Sequence, residues 1–148
     1  MLKLAYPDYK QDTYLVLESP TEEEIITCIR TRDSLYETTL KLGVESIGGL
    51  HIIKGKNITN VSKGHYFRFI VWYRPLGFKG HTLYTLLDAN CDEMAEVIRF
   101  TLENGETITK KKPFTVDEDV ASQVALHFAR TGKIVENTTW KPPLSVET

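Results

Sequence analysis

The stretch that most constrains the fold is FTVDEDVASQVALHFARTGKIVENTTW, residues 114–140. Val120, Val124 and Phe128 recur at the i, i+4, i+8 spacing of one helical face, with Ala121, Ala125 and Ala129 beside them. An apolar stripe of that kind has to be buried against another layer. The alanines let the helix come close to a sheet, and fully burying each larger side chain is worth about 1.5–3 kcal/mol. Thr115 and Glu118 have the spacing of a capping box, with Asp117 as an alternative cap. Gly132 is placed to take the left-handed conformation just past the helix end. A short extended tail then reaches Trp140, whose ring is expected on the sheet or the helix with its N–H satisfied.

The preceding residues supply strands and a second helix. YLVL, residues 14–17, is a short β-prone run. It ends at Ser19-Pro20-Thr21-Glu22, which has S-x-x-E spacing and puts Pro20 at the first helical position. Glu22, Glu23 and Glu24 then occupy a first turn, where carboxylates meet the positive end of the helix dipole. Ile25, Ile26 and Ile29 form its apolar stripe, with Cys28 alongside, and the helix fades near Asp33. Residues 38–44 alternate in part, with Leu40, Leu42 and Val44 on one face. Gly48-Gly49 breaks the chain, extended structure resumes over residues 50–54, and residues 56–64 are polar and turn-prone.

The strongest strand is YFRFIVWYR, residues 66–74. Phe67, Phe69, Val71 and Tyr73 share one face; Tyr66, Arg68, Ile70, Trp72 and Arg74 share the other. Pro75 ends it. A second strand is expected over residues 81–88, and a hairpin over residues 97–103 and 106–110. There Asn104-Gly105 suits a two-residue type I′ turn. Consecutive strands joined by short turns favour antiparallel pairing. The expectation is an α+β fold: a mainly antiparallel sheet with two helices packed on it. It forms a single domain over residues 1–148, with a flexible tail from about residue 141.

Charge and composition narrow the function. Hydrophobic residues make up 41% and charged residues 26%, too apolar for a disordered chain. A formal net charge of −2 lacks the basic excess of nucleic-acid binders, so no direct nucleic-acid partner is expected. MLKLAYPDYK lacks the apolar core of a signal peptide, and no run approaches the ~20 apolar residues of a membrane helix. The expected setting is the cytoplasm, with no membrane partner. Cys28 and Cys91 lie outside any C-x-x-C spacing and read as reduced thiols, at least one of them buried. Asn57, Asn60 and Asn137 open N-x-[ST] triplets, which are coincidental in a chain that does not enter the secretory pathway.

No catalytic or metal-binding constellation emerges. His51, His65, His81 and His127 have no metal-ligand spacing, there is no G-x-S-x-G, and the glycines match neither phosphate fingerprint. Cys28 lies beyond the helix turn whose dipole would lower a thiol pKa. Neither catalytic residues nor a cofactor are expected. Asp88, Asp92, Glu93 and Glu96 form the main cluster of acids. They read as an acidic binding surface, an acid/base pair, or a solvated connection. Lys110-Lys111-Lys112 reads as an anion contact or an edge charged against aggregation. Tyr66, Trp72 and Tyr84 are binding platforms if their faces are open, and packing if they are not.

Residues 115–140 resemble the C-terminal signature of the immunity-protein-one family of bacterial polymorphic toxin systems. In that family an alanine-rich helix ends in an aromatic-x-x-Thr-Gly pattern, followed by a tryptophan. The matching residues here are Ala121, Ala125, Phe128, Thr131, Gly132 and Trp140. The family often has a proline between the glycine and the tryptophan, and this chain has KIVENTT instead. The resemblance implies a cytoplasmic protein that neutralises a cognate toxin domain, such as a nuclease or deaminase, by tight non-catalytic binding. Toxins acting on nucleic acid are basic around their clefts, so an acidic patch would speed encounter and compete with phosphate. On that reading Asp88, Asp92, Glu93 and Glu96 are the partner-binding residues. The alternative is a small ligand-binding or adaptor domain using the aromatic sheet face. A small enzyme is a third reading, which no motif supports. Oligomeric state stays open.

Overall fold

A computed structural model describes residues 1–8, 13–30, 39–44, 48–57, 67–75, 84–88, 91, 96–101, 106–135 and 138–141. The chain runs β1 (Leu2–Asp8), β2 (Thr13–Glu18), α1 (Glu22–Arg30), β3 (Thr39–Val44), β4 (Gly48–Asn57), β5 (Phe67–Pro75) and β6 (Tyr84–Leu87). It continues through β7 (Val97–Thr101), β8 (Thr107–Lys111), a 3-10 helix over Lys112–Phe114, α2 (Glu118–Thr131) and β9 (Thr139–Lys141). The described strands form one antiparallel sheet in the order β2-β1-β3-β4-β5-β6-β9, with the β7–β8 pair branching from β4. This is the expected α+β architecture, with both helices on one face.

A row of apolar side chains crosses the sheet one residue per strand. Register places Leu17 beside Leu4, Leu4 beside Leu42, Leu42 beside Leu50, and Leu50 beside Tyr73. Such cross-strand neighbours are the packing unit of a sheet. Together with Ile52, Phe69, Val71 and Leu86 they meet Ile25, Cys28 and Ile29 of α1 and Ala121, Val124, Ala125 and Phe128 of α2. Ala121, Ala125 and Phe128 are fully buried, as the stripe required. Tyr73 is the hub between sheet and tail. Its ring stands edge-on to Phe128 at 6.4 Å and to Trp140 at 6.0 Å. Trp140 donates its indole N–H to Thr138 Oγ1 at 2.6 Å and pairs with Leu86 through β9.

The other face is also covered, which the alternation of β5 alone does not reveal. β4 continues past the end of β3, and its last residues, Lys56 and Asn57, take β7 as a neighbour. The β7–β8 pair turns over the sheet and sets Ile98, Phe100 and Ile108 on Ile53, Ile70 and Trp72. The chain therefore has two cores, one on each side of β4 and β5. Gly55 makes the crossing feasible: a Cβ there would stand 2.4 Å from the Phe100 ring and 2.6 Å from the Arg99 carbonyl oxygen.

Several local expectations are corrected. The first capping box is formed by Thr21 and Glu24, not Ser19 and Glu22. Glu24 N–H donates to Thr21 Oγ1 at 3.1 Å, and Thr21 N–H donates to Glu24 Oε1 at 2.9 Å. Ser19 instead has φ 49° and donates its N–H to Leu2, finishing the β1–β2 ladder before the helix starts. At α2 the cap is Asp117, which accepts from Val120 N–H at 2.9 Å; Thr115 is buried and engaged elsewhere. Gly132 has the expected left-handed φ of 72°. Gly48-Gly49 does not interrupt a strand but begins β4, opposite Val44 and Gly43.

The expected hairpin is formed by β7 and β8, and its Asn104-Gly105 turn lies outside the described residues. Thr101 pairs with Thr107 and Phe100 with Ile108. The helix end near Asp33, the polar run 58–64 and residues 142–148 also lie outside the described residues. Lys141, at the start of the expected tail, pairs with Thr85 in β9.

The two helices run antiparallel and are tied at both ends. Arg130 holds Glu22 through Nε–Oε2 at 2.7 Å and Nη2–Oε1 at 2.5 Å, and Arg30 lies 3.5 Å from Glu118. The bidentate hydrogen bond from Arg130 lowers the Glu22 carboxyl pKa; desolvation opposes it, and the Arg130 charge adds a lesser lowering. A depressed carboxyl stabilises the fold at pH above its unfolded pKa, and that contribution is lost as pH falls through the folded value. A carboxyl-carbon NMR titration should place Glu22 below the ordinary glutamate range in the wild type and return it to that range in Arg130→Gln. An unchanged midpoint in the variant would dissolve the pair.

Candidate interaction site

The acidic segment singled out in the sequence starts where β5, β6, β7 and the 3-10 helix meet. This junction is organised by Arg68. The alternation of β5 directs Arg68 away from the helices, beside Ile70, and its side chain is only 8% exposed. A buried guanidinium has to be fully partnered. Nε donates to Thr115 Oγ1 at 2.9 Å. Nη2 donates to Asp88 Oδ2 at 2.9 Å, to the Thr115 carbonyl at 2.8 Å and to the Lys112 carbonyl at 3.3 Å. Thr115 Oγ1 donates in turn to the Lys112 carbonyl at 2.7 Å. One residue on, Val116 and Phe69 exchange backbone hydrogen bonds at 2.8 Å. The approach to α2 is thus held along β5, where β6, pairing only with Trp72 and Tyr73, leaves room.

Two of the four expected partner-binding carboxylates belong to this junction. Asp88 faces Arg68 with a quarter of its side chain exposed. Glu96 is 4% exposed and holds Lys112 Nζ at 3.1 Å, while its carbonyl accepts the Lys112 N–H. So Glu96 offers almost no surface to a partner, and Asp88 offers only its outer edge. Asp92 and Glu93 lie outside the described residues, between these two anchors. Lys112 is likewise drawn into the junction, whereas Lys110 and Lys111 remain exposed on β8.

The remaining candidates separate. Trp72 is half-buried against the second core, and Tyr84 stands 6.4 Å from Tyr73, both as packing residues. Tyr66, His65 and His81 lie outside the described residues. Cys28 is buried and Cys91 half-buried, both as free thiols. Among the described residues no group of three or more His, Cys, Asp or Glu is placed to hold a metal. No described helix is long and apolar enough to cross a membrane.

A second feature has no counterpart in the sequence reading. A groove of about 330 Å³ lies between α1 and the β1–β2 pair. Tyr6 and Leu17 form its floor, and Glu23, Glu24, Thr27 and Cys28 are among its walls. Beside it, at the edge of the sheet, Leu15 is 41% and Val16 54% exposed. The signal for this site was present in YLVL: a short, uncharged apolar strand followed by a run of glutamates. Its position at an edge was not legible, because β1 was not recognised as a strand. No protein-family model matches the chain, and no curated protein matches it.

Proposed function

We propose that the chain is an immunity protein that neutralises a cognate bacterial toxin domain by tight, non-catalytic binding in the cytoplasm. The observation that carries this reading is the construction of residues 114–140. The residues that resemble the family signature form one module: Ala121, Ala125 and Phe128 buried against the sheet, Gly132 in the left-handed cap, and Trp140 against Tyr73. An inhibitor of this kind needs a rigid complementary surface rather than an active site. The junction provides rigidity, since its buried charges are consumed by internal pairs. Asp88 and Glu96 anchor the two ends of the acidic segment, and Asp92 and Glu93 between them in sequence are its candidate contacts. The aromatic-face alternative draws little support from Trp72, which is half-buried against the second core. Affinity capture of the tagged chain from its native source should return one stoichiometric partner carrying a C-terminal toxin domain. Recovery of a bound small molecule with no protein partner would replace this reading.

A further inference from the structure

The free edge of β2 has the makings of a strand-docking site. Ser19 N–H donates to the Leu2 carbonyl, and the β1–β2 register places Leu4 opposite Leu17 and Tyr6 opposite Leu15. Hydrogen-bonded and non-bonded pairs alternate along an antiparallel ladder. Leu15 and Leu17 therefore bond inward to β1, and the backbone N–H and C=O groups of Tyr14, Val16 and Glu18 face outward. Pro7 falls opposite Tyr14 at a non-bonded pair, where its missing N–H costs the ladder nothing. No described strand pairs with this edge.

Exposed edges are usually guarded by lysine, proline or a bulge. β8 carries exposed Lys110 and Lys111, whereas β2 reads TYLVLE and has no such guard. Leu15 and Leu17 share the face of the groove beneath α1, and Val16 lies on the other. The groove face is acidic: Glu23 and Glu24 wall the groove and are exposed, while Glu18, also exposed, lies on the Val16 face opposite Lys3 of β1. Pairing two copies about β2 would bring like-charged rims together. An occupant with cationic side chains is favoured instead.

We propose that β2 accepts an extended segment of a protein partner as an added strand, with its apolar residues meeting Val16 on one face and its lysine or arginine residues crossing Leu15 to meet Glu23 on the groove face. This rests on the reading of the chain as a protein-binding module and adds a contact surface separate from the acidic segment. Strand addition draws affinity from the main chain and specificity from alternate side chains.

The test is amide hydrogen exchange by NMR on the full chain, with a synthetic peptide of alternating valine and lysine as probe and one of alternating valine and glutamate as control. The lysine peptide should slow exchange at Tyr14, Val16 and Glu18, leave the already bonded Leu15 and Leu17 unchanged, and lose affinity with added salt. Val16→Lys, at an exposed position, should keep the native spectrum and weaken peptide binding by about tenfold or more, through charge repulsion at the edge. Glu23→Lys should weaken it several-fold. The proposal is overturned if millimolar peptide protects none of the three amides, if protection appears at β8 or β9 instead, or if the glutamate peptide binds equally well. Protection already present in the free chain and lost on dilution would make the occupant a second copy and also overturn it. A toxin domain bound equally by wild type and Val16→Lys would remove this edge but keep the immunity reading. Peptide protection with no toxin partner would do the reverse.

Discussion

Replacing Arg68 with methionine is expected to destabilise the chain by about 3–5 kcal/mol, the range for breaking a buried, hydrogen-bonded charge network. The substitution keeps an apolar stem beside Ile70 but removes a donor from each acceptor the guanidinium served, although the Lys112 carbonyl keeps those from Thr115. The carbonyls of Thr115 and Lys112 lose donors, and Asp88 loses its counter-ion. Each buried group left unsatisfied costs about 1–3 kcal/mol. Asp88→Asn should cost less, about 1 kcal/mol, because a hydrogen bond survives and the side chain is partly solvated. Arg68→Lys should fall between them, since one ammonium cannot reproduce the planar fork that serves Thr115 and Asp88 together. Urea unfolding with an unchanged m-value would measure all three. A loss under about 1 kcal/mol for Arg68→Met would mean that water replaces the guanidinium and that the junction is not rigid.

The second large effect belongs to the other core. Phe100→Ala should cost about 3–5 kcal/mol, because Phe100 is fully buried between Ile53, Ile70 and Ile98 and its removal leaves a cavity. Gly55→Ala attacks the same contact from the opposite side. Its Cβ would overlap the Phe100 ring and approach the Arg99 carbonyl, so β7 must shift outward, at a cost of about 1–3 kcal/mol or more. Combining them discriminates a shared contact from two independent defects. In the Phe100→Ala background the cost of Gly55→Ala should drop by about half, with the clash against Arg99 as the remainder. Strict additivity would mean that the hairpin is not seated on Gly55.

These two sites also mark where sequence reading stopped. The helix α2, its left-handed glycine and the central strand β5 were legible because a helical or twofold period fixes one buried face. The second core was not. The second face of β5 carried Arg68 and Arg74 and so read as amphipathic, yet Ile70 on that face is fully buried under β7–β8. A cover layer arriving from residues 97–111 leaves no trace in the period of residues 66–74. The hairpin was legible from its two extended runs, which pair as β7 and β8. The first helix start was misplaced by two residues, because Ser19 closes the β1–β2 ladder; at α2 Thr115 is engaged by Arg68 and the alternative, Asp117, is the cap.

The acidic cluster was read as one surface and is divided by the fold. Spacing alone does not distinguish a carboxylate facing a buried cation from one facing solvent. Glu96 has its cation in Lys112 and Asp88 has its own in Arg68, residues 16 and 20 positions away in the chain. An arginine in the middle of an otherwise apolar strand was the available clue that some carboxylate would be drawn inward to meet it.

The most direct measurement of the proposed function titrates the purified chain against a toxin domain recovered with it by affinity capture, following that domain's own activity. Neutralisation by binding requires activity to fall linearly and vanish at one equivalent, with no dependence on incubation time after mixing. Activity that persists at excess chain, or that is abolished by a small fraction of an equivalent through turnover, would contradict it.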